Sequence, residues 1–256
     1  MNTQSGTVFI TGATSGIGRE LLAIFHAQGW NVIAHGRSDV KLHDLKSQYP
    51  GIRTVQADLV HPAFVDAMMA DVLGDAPHID LVVNNAAVQE KGVLTDAEFD
   101  ASLADREIAI NLLAPIRICH AVIQHWTERG TVSKAEQAGA WSRIVNVSSG
   151  LAFYPKTGSA IYCASKAALH SFSQSLRYQL LASDIPIAIS EVFLPVVDTP
   201  MTAGRDITKI PARQAALAIH DGIFEGRDEI YVGKARLIPV VMRLSPSLMK
   251  SILRKG

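Results

Sequence analysis

Short apolar runs rich in Val and Ile recur along the chain: TVFIT from Thr7, NVIAH from Asn31, RTVQA from Arg53, IDLVV from Ile79, RIVNV from Arg143, IPIAISEV from Ile185 and EIYVG from Glu229. Their length and β-branched content predict strands. Between most of them, apolar residues return at intervals of three and four. In RELLAIFHAQG, for example, Leu21, Leu22 and Phe25 mark one face of a helix. Strand and helix in alternation predict an α/β fold, a doubly wound parallel sheet with helices on both faces. Gly29 and Gly51 stand where a helix exit and a tight turn favour glycine. No linker, repeat or break in composition divides residues 1–256, so a single domain is expected. The polar stretch TERGTVSKAEQAGAWS (127–142) is expected to be a surface excursion.

Composition narrows the functions. Lys plus Arg equals Asp plus Glu at 24 each, so no net field draws the protein to nucleic acid. The two cysteines, Cys119 and Cys163, are too few for a disulfide framework, and the N-terminal MNTQSGTVFITGATSG lacks the charged start and long apolar run of a secretion signal. A cytoplasmic setting is expected. No apolar stretch reaches about 18 residues without a charge, so no membrane span is expected. The nine histidines lack the spacing of a metal pair, and no metal site is expected. The tail KARLIPVVMRLSPSLMKSILRKG (234–256) holds six basic residues and no acidic one, but Pro239 and Pro246 break it. It is read as covering a subunit interface or the substrate pocket in preference to a membrane surface.

Chemistry enters where the first strand runs into TGATSGIGRE. Gly12, Gly16 and Gly18 let the backbone turn tightly and approach a pyrophosphate, and the helix that follows offers free N–H groups. This is the pattern of a dinucleotide site. The second strand ends in GRS, where an acidic residue would bind the ribose of NAD. Arg37 and Ser38 stand there instead, and a guanidinium suits the 2′-phosphate of NADP(H). Asp39 close by keeps NAD(H) open. In YCASK, Tyr162 precedes Lys166 by one helical turn, so an ammonium can favour the phenolate of a tyrosine whose free pKa is about 10.

The motifs TGATSGIG, NNAA, IVNVSS and YCASK, in this order, resemble those of the short-chain dehydrogenase/reductase family over roughly residues 6–233. The resemblance implies a Rossmann-like fold and a nicotinamide cofactor. The cofactor loop would be Gly12, Thr14, Ser15, Gly16, Ile17 and Gly18, tied by Thr11. Arg37 and Ser38 would lie at the adenosine ribose, Asp58 and Leu59 at the adenine, and Asn85 and Ala86 after the fourth strand. There NNAA, beginning at Asn84, stands for the usual NNAG. Val197 and Thr199 would reach the nicotinamide, in LPVVDT, where Leu194 and Pro195 replace the usual Pro-Gly.

The same resemblance implies a catalytic tetrad of Asn111, Ser149, Tyr162 and Lys166, with Ser148 as the alternative serine. Tyr162 would exchange the proton, and Tyr162 and Lys166 would also touch the cofactor. Lys166 would lower the phenol's pKa, Ser149 would bind the substrate oxygen, and Asn111 would hold a water linking Lys166 to solvent. FLPVVDTPMT, IYVGKARL and RLSP resemble a bacterial DltE-like subset. The expected substrate is a small carbonyl compound or alcohol, in a homodimer or homotetramer. Loops 87–95, 150–158 and a lid at 195–212 would select it, with Val88, Leu151, Phe153, Tyr154, Val196 and Met201 as apolar lining. Arg205, Lys209 and Arg213 give the lid region a basic character.

Overall fold

Each of the seven Val- and Ile-rich runs contains a strand of one parallel sheet. The computed structural model describes residues 6–75, 78–90, 92–130 and 142–244. In chain order the elements are β1 (Thr7–Ile10), α1 (Gly16–Ala27), β2 (Asn31–Gly36), α2 (Asp39–Gln48), β3 (Arg53–Gln56), α3 (Pro62–Asp75), β4 (Leu81–Asn84), α4 (Ser102–Ile108) and α5 (Ala114–Glu128). There follow β5 (Arg143–Ser149), α6 (Ala160–Ala182), β6 (Ala188–Leu194), β7 (Val197–Asp198), β8 (Ile210–Pro211), α7 (Ala212–Phe224), β9 (Glu229–Tyr231) and α8 (Ile238–Leu244). The main sheet has the order β3-β2-β1-β4-β5-β6-β9, and β7 pairs with β8 apart from it. The order turns back between β1 and β4, and there the strand ends open a crevice for a ligand.

The strand pattern builds two apolar layers. On β1, Val8 and Ile10 join Leu21, Leu22 and Phe25 of α1 and Ile219 and Ile223 of α7. Phe9 points the other way, to Met69 and Val72 of α3, Ile118 and Val122 of α5 and Leu176 of α6. Trp126 closes the second layer by donating its indole N–H to the Ile79 carbonyl at 2.8 Å. The helical run Ser102–Glu128 is long and apolar enough to cross a membrane by length and composition. Here it is a core helix, and Ile110, Ile118 and Trp126 are buried in the second layer.

Residues 131–141 of the expected surface excursion, and residues 245–256 of the tail, lie outside the described residues. Within the described part of the tail, Ile238, Val241 and Met242 pack on Phe193, Phe153 and Tyr231. That segment therefore caps the β6–β9 edge of the sheet.

Candidate active site

The loop after β1 is tied down by one hydroxyl. Thr11 Oγ1 accepts the N–H groups of Asn85 and Ala86, each at 3.0 Å, and donates to the Val83 carbonyl at 3.3 Å. Asn85 Nδ2 in turn donates to the carbonyls of Thr11 and Gly12 at 3.0 and 3.3 Å. Gly12 has φ +66°, and a Cβ there would lie 2.9 Å from the Ala86 Cα. A Cβ at Gly18 would lie 2.3 Å from the Gly12 oxygen. Helix α1 thus begins at Gly16 pressed close to the loop, with the Thr14 methyl packed toward Gly36 and Ile17 buried. Ser15, its N-cap, makes no side-chain capping bond, so the cap side chain does not take up the first-turn N–H groups. A cradle that β-carbons would fill, at the start of a 12-residue helix, fits a pyrophosphate.

Sequence reasoning missed His35, which braces this loop from β2. The Gly12 N–H donates to His35 Nδ1 at 3.3 Å, and His35 Nε2 lies 3.1 Å from the Ala57 carbonyl. These partners assign the proton to Nε2. Burial lowers the pKa of His35 from 6.5, against the opposing Ala57 bond and Asp58 charge. Its only signal in the sequence is a polar residue inside an apolar strand.

Next along the strand, Arg37 is exposed, and Ser38 caps α2 by accepting the Lys41 N–H at 3.4 Å. Asp58 Oδ1 accepts the Val60 N–H at 3.1 Å, and Leu59 is buried. The fold brings these four residues together just past the ends of the neighbouring strands β2 and β3. Asn84 stands apart from them. Its Nδ2 donates to Asn146 Oδ1 at 2.9 Å within the sheet, a structural role.

The catalytic candidates converge at the end of β5. Tyr162 and Lys166 lie one turn apart on α6 and are both buried, and the Ser149 side chain is close enough to the Tyr162 phenol to favour its ionised form. Ser149 Oγ also accepts the Leu151 N–H at 3.2 Å. Ser148 has a buried hydroxyl with no hydrogen-bond partner among the described residues, whereas Ser149 is the serine beside Tyr162. Lys166 Nζ donates to the Val147 carbonyl at 2.8 Å and lies 5.8 Å from the centroid of the Tyr162 ring.

Burial pushes the Tyr162 phenol up to about 12, against the Ser149 bond and the Arg205 charge, which favour its ionised form. Burial also brings Lys166 down to about 8. Desolvation is the largest influence on the phenol and outweighs Ser149 and Arg205.

Asn111 is fully buried. It sits in a π-helical turn, Ala109–Leu113, between α4 and α5. Its Oδ1 accepts the Val88 N–H at 2.9 Å, and its Nδ2 donates to the Val88 carbonyl at 2.9 Å and to Ser165 Oγ at 3.1 Å. The side chain pins the loop after β4 to α6. Nearby Glu107, also missed, is buried and accepts the Glu90 N–H at 2.9 Å. Burial raises its pKa.

The lid starts against the phosphate loop, where the Thr199 methyl lies 3.0 Å from the place of a Cβ at Gly16. Thr202 pins it, donating its hydroxyl to the Val197 carbonyl at 2.6 Å and accepting the Thr199 N–H at 3.2 Å. Arg205 Nη2 donates to Gln89 Oε1 at 2.7 Å, and Gln89 Nε2 donates to Ser159 Oγ at 2.7 Å, tying the lid across to the start of α6. Lys209 pairs with Asp198 at 3.8 Å within the lid, and Arg213 of α7 pairs with Glu20 of α1 at 3.3 Å. Phe153 packs on Phe193 with ring centroids 4.8 Å apart, Tyr154 joins the same cluster, and Val88 packs on the second core layer.

The chain matches the short chain dehydrogenase family over residues 6–209. The uncharacterized oxidoreductase DltE of Bacillus subtilis (strain 168) is 34% identical over 236 residues, which cover 90% of this chain and 89% of that one. A short chain dehydrogenase from Burkholderia cenocepacia J2315, solved in complex with NADP, superposes with a TM-score of 0.82 at 25% identity, covering 99% of each chain. A short chain dehydrogenase/reductase from Burkholderia phymatum, in complex with NAD, shares the fold with a TM-score of 0.75 at 20% identity, covering 95% of this chain and 96% of that one. With the glycine loop, the Ser149–Tyr162–Lys166 cluster and these relatives together, the chain belongs to the short-chain dehydrogenase/reductase family and is an oxidoreductase.

Proposed function

We propose that the enzyme transfers hydride between NADP(H) and a small carbonyl compound or secondary alcohol, with Tyr162 as the general acid in the direction of reduction. The observation that carries this reading is the buried Ser149–Tyr162 pair, whose phenol, pushed up to about 12, is protonated at neutral pH. A protonated phenol is the form that donates to an oxygen gaining negative charge. The bound nicotinamide would supply the hydride. Gly12, Thr14, Ser15, Gly16, Ile17 and Gly18 would hold the pyrophosphate, Asn85 and Ala86 would flank it, and Val197 and Thr199 would meet the carboxamide. Ser149 would hydrogen-bond the substrate oxygen while Tyr162 protonates it. Lys166, with a pKa of about 8, would exchange the next proton at physiological pH.

The preference for NADP(H) rests on the exposed Arg37 at the end of β2, and the NADP complex of the Burkholderia cenocepacia relative agrees with it. A second reading, NAD-dependent alcohol oxidation, is favoured by Asp39, exposed in the first turn of α2. Parallel titrations with NADPH and NADH, followed by nicotinamide fluorescence, decide between them. Binding about tenfold tighter to NADPH, worth about 1.4 kcal/mol, supports the first, and equal or tighter NADH binding supports the second. A homo-oligomer is part of the proposal, supported by Tyr178 and Leu181 of α6, which are 69% and 81% exposed.

A further inference from the structure

The α6-facing side of β6 presents Ile189, Glu191 and Phe193 in turn, and the middle one is a carboxylate with no exposure at all. A buried charge needs partners. One oxygen of Glu191, Oε2, lies 2.8 Å from His170 Nδ1 and 3.8 Å from Arg177 Nη2. The other, Oε1, is buried with no hydrogen-bond partner among the described residues. Lys166 stands one turn before His170 on the same face of α6, itself only 2% exposed. Its ammonium rests on the Val147 carbonyl of β5, and Val147 is in register with Val192, the residue after Glu191. Ammonium and carboxylate are thus enclosed under one helix, over adjacent strands. The proposed reaction uses the lysine and gives no part to the carboxylate.

We infer that Glu191, held by His170 and Arg177, is the buried counter-charge that keeps Lys166 an ammonium, and so a positioning residue for the catalytic pair. Burial alone pulls Lys166 down, and of the two carboxylates that oppose the fall Glu191 has the larger effect and Glu107 the smaller. The charged and titratable groups around Glu191 are Lys166, His170 and Arg177 from α6 and Tyr231 from β9, whose hydroxyl donates to Glu229 at 2.8 Å. Without Glu191, Glu107 alone would oppose the effect of burial on Lys166. The inference takes Lys166 as catalytic from the proposed function. Its test reads the lysine directly, without substrate, so it succeeds or fails separately from that reading.

Full-length protein labelled at lysine 13Cε is titrated by carbon–proton NMR, with the Lys166 signal assigned by its loss in Lys166→Arg. Glu191→Gln removes the charge, and Glu191→Met removes the charge without burying an amide, so the variant that keeps the wild-type circular dichroism carries the test. The Lys166 midpoint is expected to fall by about one pH unit or more, a tenfold loss of proton affinity. Glu191→Asp, which keeps the charge, is expected to hold the midpoint closer to wild type than either. A folded Gln or Met variant with an unmoved Lys166 midpoint overturns the inference, as does an Asp variant that falls as far as Gln.

Discussion

Replacing His35 by Phe keeps a ring in the core and removes both of its hydrogen bonds. The Gly12 N–H, now 3.3 Å from Nδ1, and the Ala57 carbonyl, 3.1 Å from Nε2, lose their partners at a residue only 3% exposed. An unsatisfied buried backbone group costs about 1–3 kcal/mol, so the pair should cost roughly 2–6 kcal/mol, the lower part applying where water reaches Gly12. The loss should show as a lower urea midpoint. Because Gly12 belongs to the phosphate loop, NADPH binding should also weaken, about tenfold for each 1.4 kcal/mol passed to the loop.

The sign of the pH effect follows from the lowered pKa of His35. Below its unfolded value of 6.5 the unfolded chain takes up a proton that the native protein does not, so stability falls as pH falls. The slope approaches about 1.4 kcal/mol per pH unit and ends at the folded midpoint. Urea denaturation of wild type and variant at about pH 7.5 and about pH 5.5 measures both effects. A His35→Phe protein as stable as wild type, or one with the same loss of stability between the two pH values, would refute the reasoning.

Three further outcomes are expected. Gly18→Ala places a methyl group 2.3 Å from the Gly12 oxygen, so the loop must move; NADPH fluorescence titration should show binding weakened at least about a hundredfold in a folded protein. Ser149→Ala should lower kcat by about 10²–10³ with little change in NADPH affinity, because its hydroxyl acts on the charge that develops during reaction. Arg205→Gln removes a charge that holds the Tyr162 pKa down, so the limb of the pH–rate profile governed by the phenol should move to higher pH, and KM should rise as the lid loses its tie to Gln89.

The strands were legible because a sheet covered on both faces writes itself as short Val- and Ile-rich runs, and all seven pair as one parallel sheet. The glycine loop was legible for a steric reason, since Gly12 and Gly18 stand where a side chain would collide. Other features leave no local trace. The π-helical turn at Asn111 arises inside an unbroken helical pattern, and only tertiary packing shows that its side chain serves Val88. His35 and Glu191 are single polar residues in apolar runs, indistinguishable in sequence from residues facing solvent. The packing of Phe153 on Phe193, with Tyr154 partly buried in the same cluster, is a tertiary contact that their positions in the sequence do not show. The shift at Tyr162 was unreadable because desolvation depends on burial, which the spacing of Tyr162 and Lys166 does not encode.

The most direct test of the central claim compares Tyr162→Phe with wild type on a panel of ketones and aldehydes, following NADPH consumption, with NADPH affinity measured on the same samples. The account predicts unchanged NADPH binding and turnover lower by about 10²–10⁴ on every carbonyl that the wild type reduces. Turnover at the wild-type rate in a variant that still binds NADPH would contradict it and remove Tyr162 from the acid's role.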